Sequence, residues 1–391
     1  MDFTPLQRVA SGISRFPSSL ATLKIRDITL SNRLFFPAMG VDLANHDGTF
    51  SDALREFLNG MVAGGCGLII LSNASVSRDS ILQPKGLKMF LPKHAEALKA
   101  FIRESQSQGV VVGIQLQHYG GQGTTTYTRG QALLTPSGIG ASSLQKLDPK
   151  YRTREMTQAD IDLVTEQFVA SAKLCSDAGA KIIQLQASNG YLLGSFLSGY
   201  SNRRRDAYGG SCIARARMLI DVVTSIRKAI GEDIVLGLRI GIDDFMDEEG
   251  QLPEDLKDVM PMLEDSGADM FEASFGVADT FKVLSDRSPK MIGYIYGQVK
   301  KLKGYSNVPV GFAGFVDGLP SAEKIISDGI ADMVGMARAL FADNDLILKS
   351  VEGRESEIYR CLWDGKCFKD KYNPRFDRVY CCVNPKYKRP E

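Results

Sequence analysis

Eight short apolar runs, separated by helical patterns, limit what this chain can fold into more than any other feature. They are "RLFFPAM" (33–39), "GLIILS" (67–72), "VVVGIQL" (110–116), "KIIQLQ" (181–186), "IVLGLRI" (234–240), "ADMFEAS" (268–274), "VPVGFA" (308–313) and "ADMVGM" (331–336). Their apolar character is continuous rather than alternating, which suits strands covered on both faces in a parallel sheet. Between them, "TQADIDLVTEQFVASAKLCSDAGA" sets Thr157 and Asp160 at capping-box spacing and places Ile161, Val164, Phe168 and Cys175 on one side. "ARARMLIDVVTSIRKAIG" does the same with Leu219, Val222, Val223 and Ile226, and stops at Gly231. The count predicts an α/β fold, a single-domain (β/α)8 TIM barrel, with a doubly wound sheet as the alternative. The expected organisation is an N-terminal extension over 1–25, the barrel over 26–358 and a Cys-containing C-terminal tail over 359–391 packed on it. A long polar loop over 119–156, after the third run, is expected to act as a lid or binding element.

Composition narrows the function classes. With 44% apolar and 24% charged residues, the 391-residue chain can build a large core. Its formal net charge of +1 argues against nucleic acid or an anionic membrane as the main partner. The apolar runs are far too short to span a bilayer, and "MDFTPLQRVASGISRF" lacks the apolar stretch of a signal peptide. A cytoplasmic enzyme acting on a small molecule is expected, with homo-oligomerisation left open. Of seven cysteines, Cys66, Cys175 and Cys212 read as isolated thiols, whereas Cys361, Cys367, Cys381 and Cys382 cluster near the end.

In such barrels the chemistry lies at the C-terminal ends of the strands. Reading each run to its end gives Met39, Gln115, Gln186, Arg239 and the pair Ala313-Gly314, with Arg338 just past the eighth. An amide or guanidinium inside an apolar run is costly unless paired. A satisfied polar layer explains any one of these residues, but their convergence on one rim points to a ligand. Loops after the seventh and eighth strands often bind phosphate. Gly314 in "FAGF" and Arg338 in "GMARALF" fit that role and predict a phosphorylated cofactor or substrate.

The stretches "LSNRLFFPAMG", "GIQLQHYGG", "NGYLLGSFLS…SNRRRDAYGGS", "ADMVGMARALFADND" and "CCVNP" resemble the old yellow enzyme family of FMN-dependent oxidoreductases, including its bacterial NADH:flavin oxidoreductase branch. The resemblance implies FMN as cofactor and NAD(P)H as electron donor. It implies hydride transfer through flavin N5 to the activated C=C bond of an α,β-unsaturated carbonyl compound. It further implies that Gln115 pairs with the flavin pyrimidine edge and that Arg239 sits near N1 and C2=O. Pro37, Ala38, Met39 and Asn73 would contact the ring, and Gly314, Ala337 and Arg338 the phosphate. Gln186 and Asn189 would hold the substrate oxygen, and Tyr191, a phenol of ordinary pKa near ~10, would deliver the proton. "SNRRRDAYGG" would fix the loop and helix that follow it.

Departures from the family pattern surround the substrate face. Gln186 with Asn189 stands where His with His or Asn is usual, Gly40 where Thr or Cys is common, and Gly121 where Arg is frequent. Asn73 replaces a small residue. An FMN-dependent desaturase, isomerase or demethylase is therefore the alternative function, and a barrel that binds a ligand without flavin is a third. His118 is expected to hydrogen-bond behind the site, and Tyr119 and Tyr127 to wall the pocket. In the tail, Asp364 occupies one position of a family Cys pattern, so plain thiols are expected rather than an iron–sulfur cluster or zinc. The family branches with that cluster carry a further C-terminal nucleotide-binding domain, and the chain is expected to lack one. Trp363 has no assigned role.

Overall fold

The structure, a computed structural model, describes residues 4–128, 130–370 and 375–390. All eight apolar runs form strands: β1 (Leu34–Phe36), β2 (Leu68–Ser75), β3 (Val111–Gln117), β4 (Ile182–Ala187), β5 (Val235–Asp243), β6 (Met270–Phe275), β7 (Val310–Phe312) and β8 (Met333–Gly335). Each pairs in parallel with the next, and β8 pairs with β1, so the sheet closes and has no free edge. Helices α1 (Asp52–Ala63), α2 (Pro92–Ser107), α3 (Gln158–Asp177), α4 (Cys212–Ile230), α5 (Val259–Asp265), α6 (Pro289–Lys303) and α7 (Leu319–Ser327) follow β1 to β7 in turn. Two short helices, α8 (Ala337–Ala342) and α9 (Leu346–Val351), follow β8. Side-chain caps start several of them: Ser51, Thr157, Ser211 and Ser288 each accept a first-turn N–H. The Thr157–Asp160 capping box forms, and Gly231, at φ 70°, ends α4.

Alternation along the strands divides the barrel interior into storeys. The lowest is apolar, with Leu68, Ile182, Val235, Met270 and Met333 packed around Phe35. A hairpin of Leu23–Ile25 and Ile28–Leu30 closes that end by inserting Ile25 and Leu30 into the same cluster. The hairpin straddles residues 25 and 26, so the extension and the barrel share it. Higher on β4, β5 and β6 the same face turns polar: Gln184 and Gln186 follow Ile182, Arg239 follows Gly237, and Glu272 and Ser274 follow Met270.

Two expectations need correction. Arg239 is not at the end of its strand. β5 continues to Asp243 because Gly241 and Asp243 keep pairing with Ser274 and Phe275 of β6, which places Arg239 at mid-strand. The 119–156 segment is not an open loop either. Within it Leu133–Thr135 and Thr153–Glu155 pair in parallel, with a helix at Ser142–Leu147 between them. The arginine-rich motif accounts for that order. Buried Arg204 donates from Nη1 to Pro136 O at 2.8 Å and Met156 O at 2.7 Å, while the Arg203 backbone N–H donates to Ser137 Oγ at 2.7 Å. Asp279 accepts the Ser142 and Ser143 N–H groups at 3.0 and 2.7 Å. The motif thus reaches back to pin the segment that precedes it.

Candidate active site

Strand register assembles the deepest part of the site. Gln115 of β3 lies opposite Gln184 of β4, and Arg239 of β5 lies opposite both Gln186 of β4 and Glu272 of β6. Their side chains form a chain across the barrel. Gln115 Nε2 donates to Gln184 Oε1 at 2.7 Å, and Gln184 Nε2 donates to Glu272 Oε2 at 2.9 Å. Arg239 Nε stands 3.4 Å from Glu272 Oε1, and its Nη1 donates to Ala38 O at 3.4 Å. Glu272 is 0% exposed, and a carboxylate so deep in a barrel is tolerable only when paired. Gln184 supplies a hydrogen bond and Arg239 a charge at ion-pair distance, although Arg239 Nε and Glu272 Oε1 form no hydrogen bond with each other. Sequence reading found Gln115 and Arg239 but missed Gln184 and Glu272. The signal was available: each lies two residues from a rim position, in runs that are otherwise apolar.

The rim above is tied by amides. Gln186 Oε1 accepts from Ser188 Oγ at 2.7 Å, whereas its Nε2 has no hydrogen-bond partner among the described residues. Asn189, at φ 57°, occupies the left-handed region that Asn tolerates. Its Nδ2 donates to Phe275 O and Gly276 O at 3.0 and 3.1 Å, and its Oδ1 accepts from Ser188 Oγ and Ser274 Oγ at 2.9 and 3.2 Å. Asn189 therefore straps the end of β4 to the end of β6, with both amide hydrogens committed. Tyr191 caps the short helix Leu192–Leu197, and its ring meets Tyr119 edge-on at 5.2 Å. Asn73 Nδ2 donates to Tyr119 Oη, so the ends of β2, β3 and β4 join in one contact line. Met39, Gly40 and Asn73 line a shared cleft beside β1 and β2.

Histidine chemistry is absent from this rim as described. His118 is buried, its Nδ1 accepts from the Gly120 N–H at 3.1 Å, and burial pushes its pKa down to about 4. It stays neutral near pH 7 and shapes the turn after β3, the supporting role expected of it.

The ends of β7 and β8 look different. Gly314 is required by close approach, since a Cβ there would lie 2.7 Å from the Phe312 ring. Beside it stand Arg338, at the start of α8, and Arg287, which sequence reading missed. Among the described residues neither takes part in an ion pair, and Arg287 Nη1 is buried without a hydrogen-bond partner. Burial first, then Arg287, pulls the Arg338 pKa below its ordinary value, with no carboxylate among the opposing influences. Both cations lie on the tail residue Trp363, with Arg287 Cζ at 3.6 Å and Arg338 Cζ at 4.3 Å from the indole centroid. Two partly buried cations and an orphaned donor beside a close-approach glycine fit the phosphate of a nucleotide cofactor.

Comparison with known proteins agrees. The profile of the NADH:flavin oxidoreductase / NADH oxidase family matches residues 20–357. The chain is 31% identical over 385 residues to an NADH oxidase from Thermoanaerobacter brockii, covering 95% of this chain and 56% of that protein. It is 27% identical over 372 residues to a "Multifunctional alkene reductase/demethylase OYE" from Caballeronia cordobensis, covering 94% and 52%. Its fold matches 2-naphthoyl-CoA reductase with a TM-score of 0.85 at 23% identity, over 95% of this chain and 57% of that one. The chain thus spans about half the length of these relatives. The chain belongs to the NADH:flavin oxidoreductase / NADH oxidase family, the old yellow enzyme family, with FMN as its cofactor.

Proposed function

We propose that this chain reduces the activated carbon–carbon double bond of an α,β-unsaturated carbonyl compound. Bound FMN supplies the hydride chemistry, with electrons drawn from NAD(P)H. In this reading Gln115 and Arg239 hold the pyrimidine edge of the cofactor, Pro37, Ala38, Met39 and Asn73 border its ring, and Gly314, Ala337 and Arg338 hold its phosphate. Arg239 gives positive charge where negative charge accumulates on reduction, and Glu272 moderates it.

The observation that carries the reading is Gln186. Its oxygen is fixed by Ser188, and its amide N–H2 is uncommitted beside Arg239 in the register. A donor held in that way is preorganised for a carbonyl oxygen on which enolate charge develops. Asn189 serves the same oxygen indirectly, by fixing Ser188 and the β4–β6 junction. Tyr191 delivers the proton to the carbon that becomes carbanionic, with Tyr119 packed against its ring. The alkene reductase named above supports this substrate class.

A second reading is favoured by one observation: Gln186, the donor proposed for the substrate oxygen, is a neutral amide. Glutamine never ionises, and buried His118 stays neutral. Charge-assisted donors are roughly twice as strong as neutral ones, so enone polarisation is weaker here. An oxidative reaction, such as desaturation or demethylation, or an isomerisation demands less of such a donor. Anaerobic reduction of the holoprotein followed by spectral reoxidation decides between them. Reoxidation by cyclic enones is the expected result. Failure with every enone, together with bleaching of the oxidised flavin by saturated ketones or N-methyl amines, would replace the first reading with the second.

A further inference from the structure

We propose that the C-terminal tail completes the phosphate end of the cofactor site, with Arg287 as a second phosphate-binding cation and Trp363 as the plate that aligns Arg287 with Arg338. The proposal rests on the FMN-binding part of the reading above and not on the substrate.

Arg287 is sandwiched between two rings. Its Cζ lies 3.6 Å from the Trp363 centroid and 5.7 Å from that of Phe315, the residue after Gly314. Arg338 covers the other flank of the same indole at 4.3 Å. Each stacking contact is favourable, yet the arrangement brings two like charges together in a partly desolvated place. A carboxylate would ordinarily relieve the repulsion, and among the described residues none pairs with either cation. The buried, unpartnered Arg287 Nη1 is the donor left over. A phosphate monoester carries close to two negative charges at neutral pH and accepts several hydrogen bonds, which suits both guanidiniums together.

The tail shows further commitment to this arrangement. Trp363 sits at φ 58°, a left-handed conformation that residues other than glycine rarely adopt. Its N–H donates to Cys361 Sγ at 3.4 Å, and Cys361 and Cys367 both lie near enough to Arg338 to influence its charge. Farther on, Asn384 Nδ2 donates to Phe341 O at 2.8 Å and Tyr387 stacks on Phe341, which anchors the tail to α8. The segment carrying the indole is thus moored to the helix that begins with the phosphate residues. A phosphate that accepts from both cations would remove their repulsion and tighten the tail. An empty site would loosen it.

The test uses the full chain stripped of flavin and reloaded with FMN or with riboflavin, which lacks the phosphate. Arg287→Ala is expected to weaken FMN binding by about tenfold to a hundredfold, the loss of one charge-assisted contact, and to leave riboflavin binding unchanged. Arg287→Lys should recover part of the loss, and Trp363→Leu should show a smaller loss confined to FMN. Trp363 is the sole tryptophan, so its emission reports the tail directly. Inorganic phosphate added to the stripped wild type should shift that emission and protect it from acrylamide, whereas chloride at equal ionic strength should not. The proposal is overturned by unchanged FMN affinity in Arg287→Ala, by equal losses for FMN and riboflavin, or by emission indifferent to phosphate. None of these outcomes depends on turnover, so a chain inactive on every enone can still pass.

Discussion

Arg239, in the middle of β5, and Arg338, just past β8, are arginines of one barrel, yet the protein treats them differently. Arg239 has a buried carboxylate of its own, Glu272, which is in turn held through Gln184 to Gln115. Arg338 has no carboxylate among the described residues and shares an indole with a second cation. The first end is balanced by the fold itself, so its charge is part of the barrel's stability. The second is left unbalanced, so its charge awaits an anion. In the proposed reading, the site is rigid at the end that would meet the reacting ring and ligand-dependent at the end that would hold the phosphate.

The largest expected effect follows at the balanced end. Arg239→Met strands the Glu272 carboxylate in the interior and should lower the unfolding free energy by about 3–5 kcal/mol. Urea melts of the flavin-stripped protein measure it, and adding Glu272→Gln should restore most of the loss. A single variant as stable as wild type would mean that Glu272 is not held by Arg239.

At the unbalanced end the same kind of deletion should act on the ligand instead. Arg338→Ala is expected to weaken FMN retention by about 1.5–3 kcal/mol, with little change in the melt of the stripped protein. Dialysis followed by flavin absorbance gives the first number. Should the stripped variant melt as early as Arg239→Met, the contrast between the two ends collapses.

Smaller effects test the rim above the balanced end. Gln186→Ala should slow reoxidation by an enone by about tenfold, corresponding to a neutral donor of about 1–1.5 kcal/mol, while flavin reduction by NAD(P)H continues as before. Gln186→His should raise activity on simple cyclic enones, since its donor can become cationic. Tyr191→Phe should slow reoxidation by enones but not by quinones, which need no proton on carbon. Stopped-flow traces of the two half-reactions separate these cases, and three variants indistinguishable from wild type would remove Gln186 and Tyr191 from the chemistry.

The smallest effect is on pH dependence. Burial holds the His118 pKa at about 4, below the 6.5 of an exposed imidazole. Its contribution to stability is complete above pH 6.5 and is lost as pH falls towards 4. Asp244 opposes it. Burial raises that carboxyl from 3.8 to about 6, so its contribution is complete below pH 3.8 and is lost as pH rises through 6. His118→Asn, which keeps an acceptor for the Gly120 N–H, should leave only the Asp244 slope between those limits. Melting temperatures at pH 4.5 and 6.5 provide the check, and an unaltered difference between them would sink the assignment.

Much of this was legible before any coordinates. The strand runs, the Thr157–Asp160 cap and the Gly231 stop depend on patterns of adjacent residues, and local patterning is what the chain's sequence states directly. Gln115, Gln186 and Arg239 stood out because polar groups interrupt apolar runs. Gln184 and Glu272 interrupt them equally well, but they lie a layer below the strand ends, and only the hydrogen bonds across the barrel show that the polar storey extends that deep. Arg287 and Trp363 had no local signature: one lies in an ordinary loop before α6, the other in the tail.

By itself the sequence determined the barrel and its family, because both rest on short-range periodicity and contiguous motifs. Only the tertiary structure decided which charges are paired. Register sets Glu272 beside Arg239 across two strands, and the returning tail lays Trp363 between residues 287 and 338. Pairing depends on distances of a few ångströms between residues far apart in the chain. Closure of the barrel and docking of the tail fix those distances, and no stretch of sequence carries them alone.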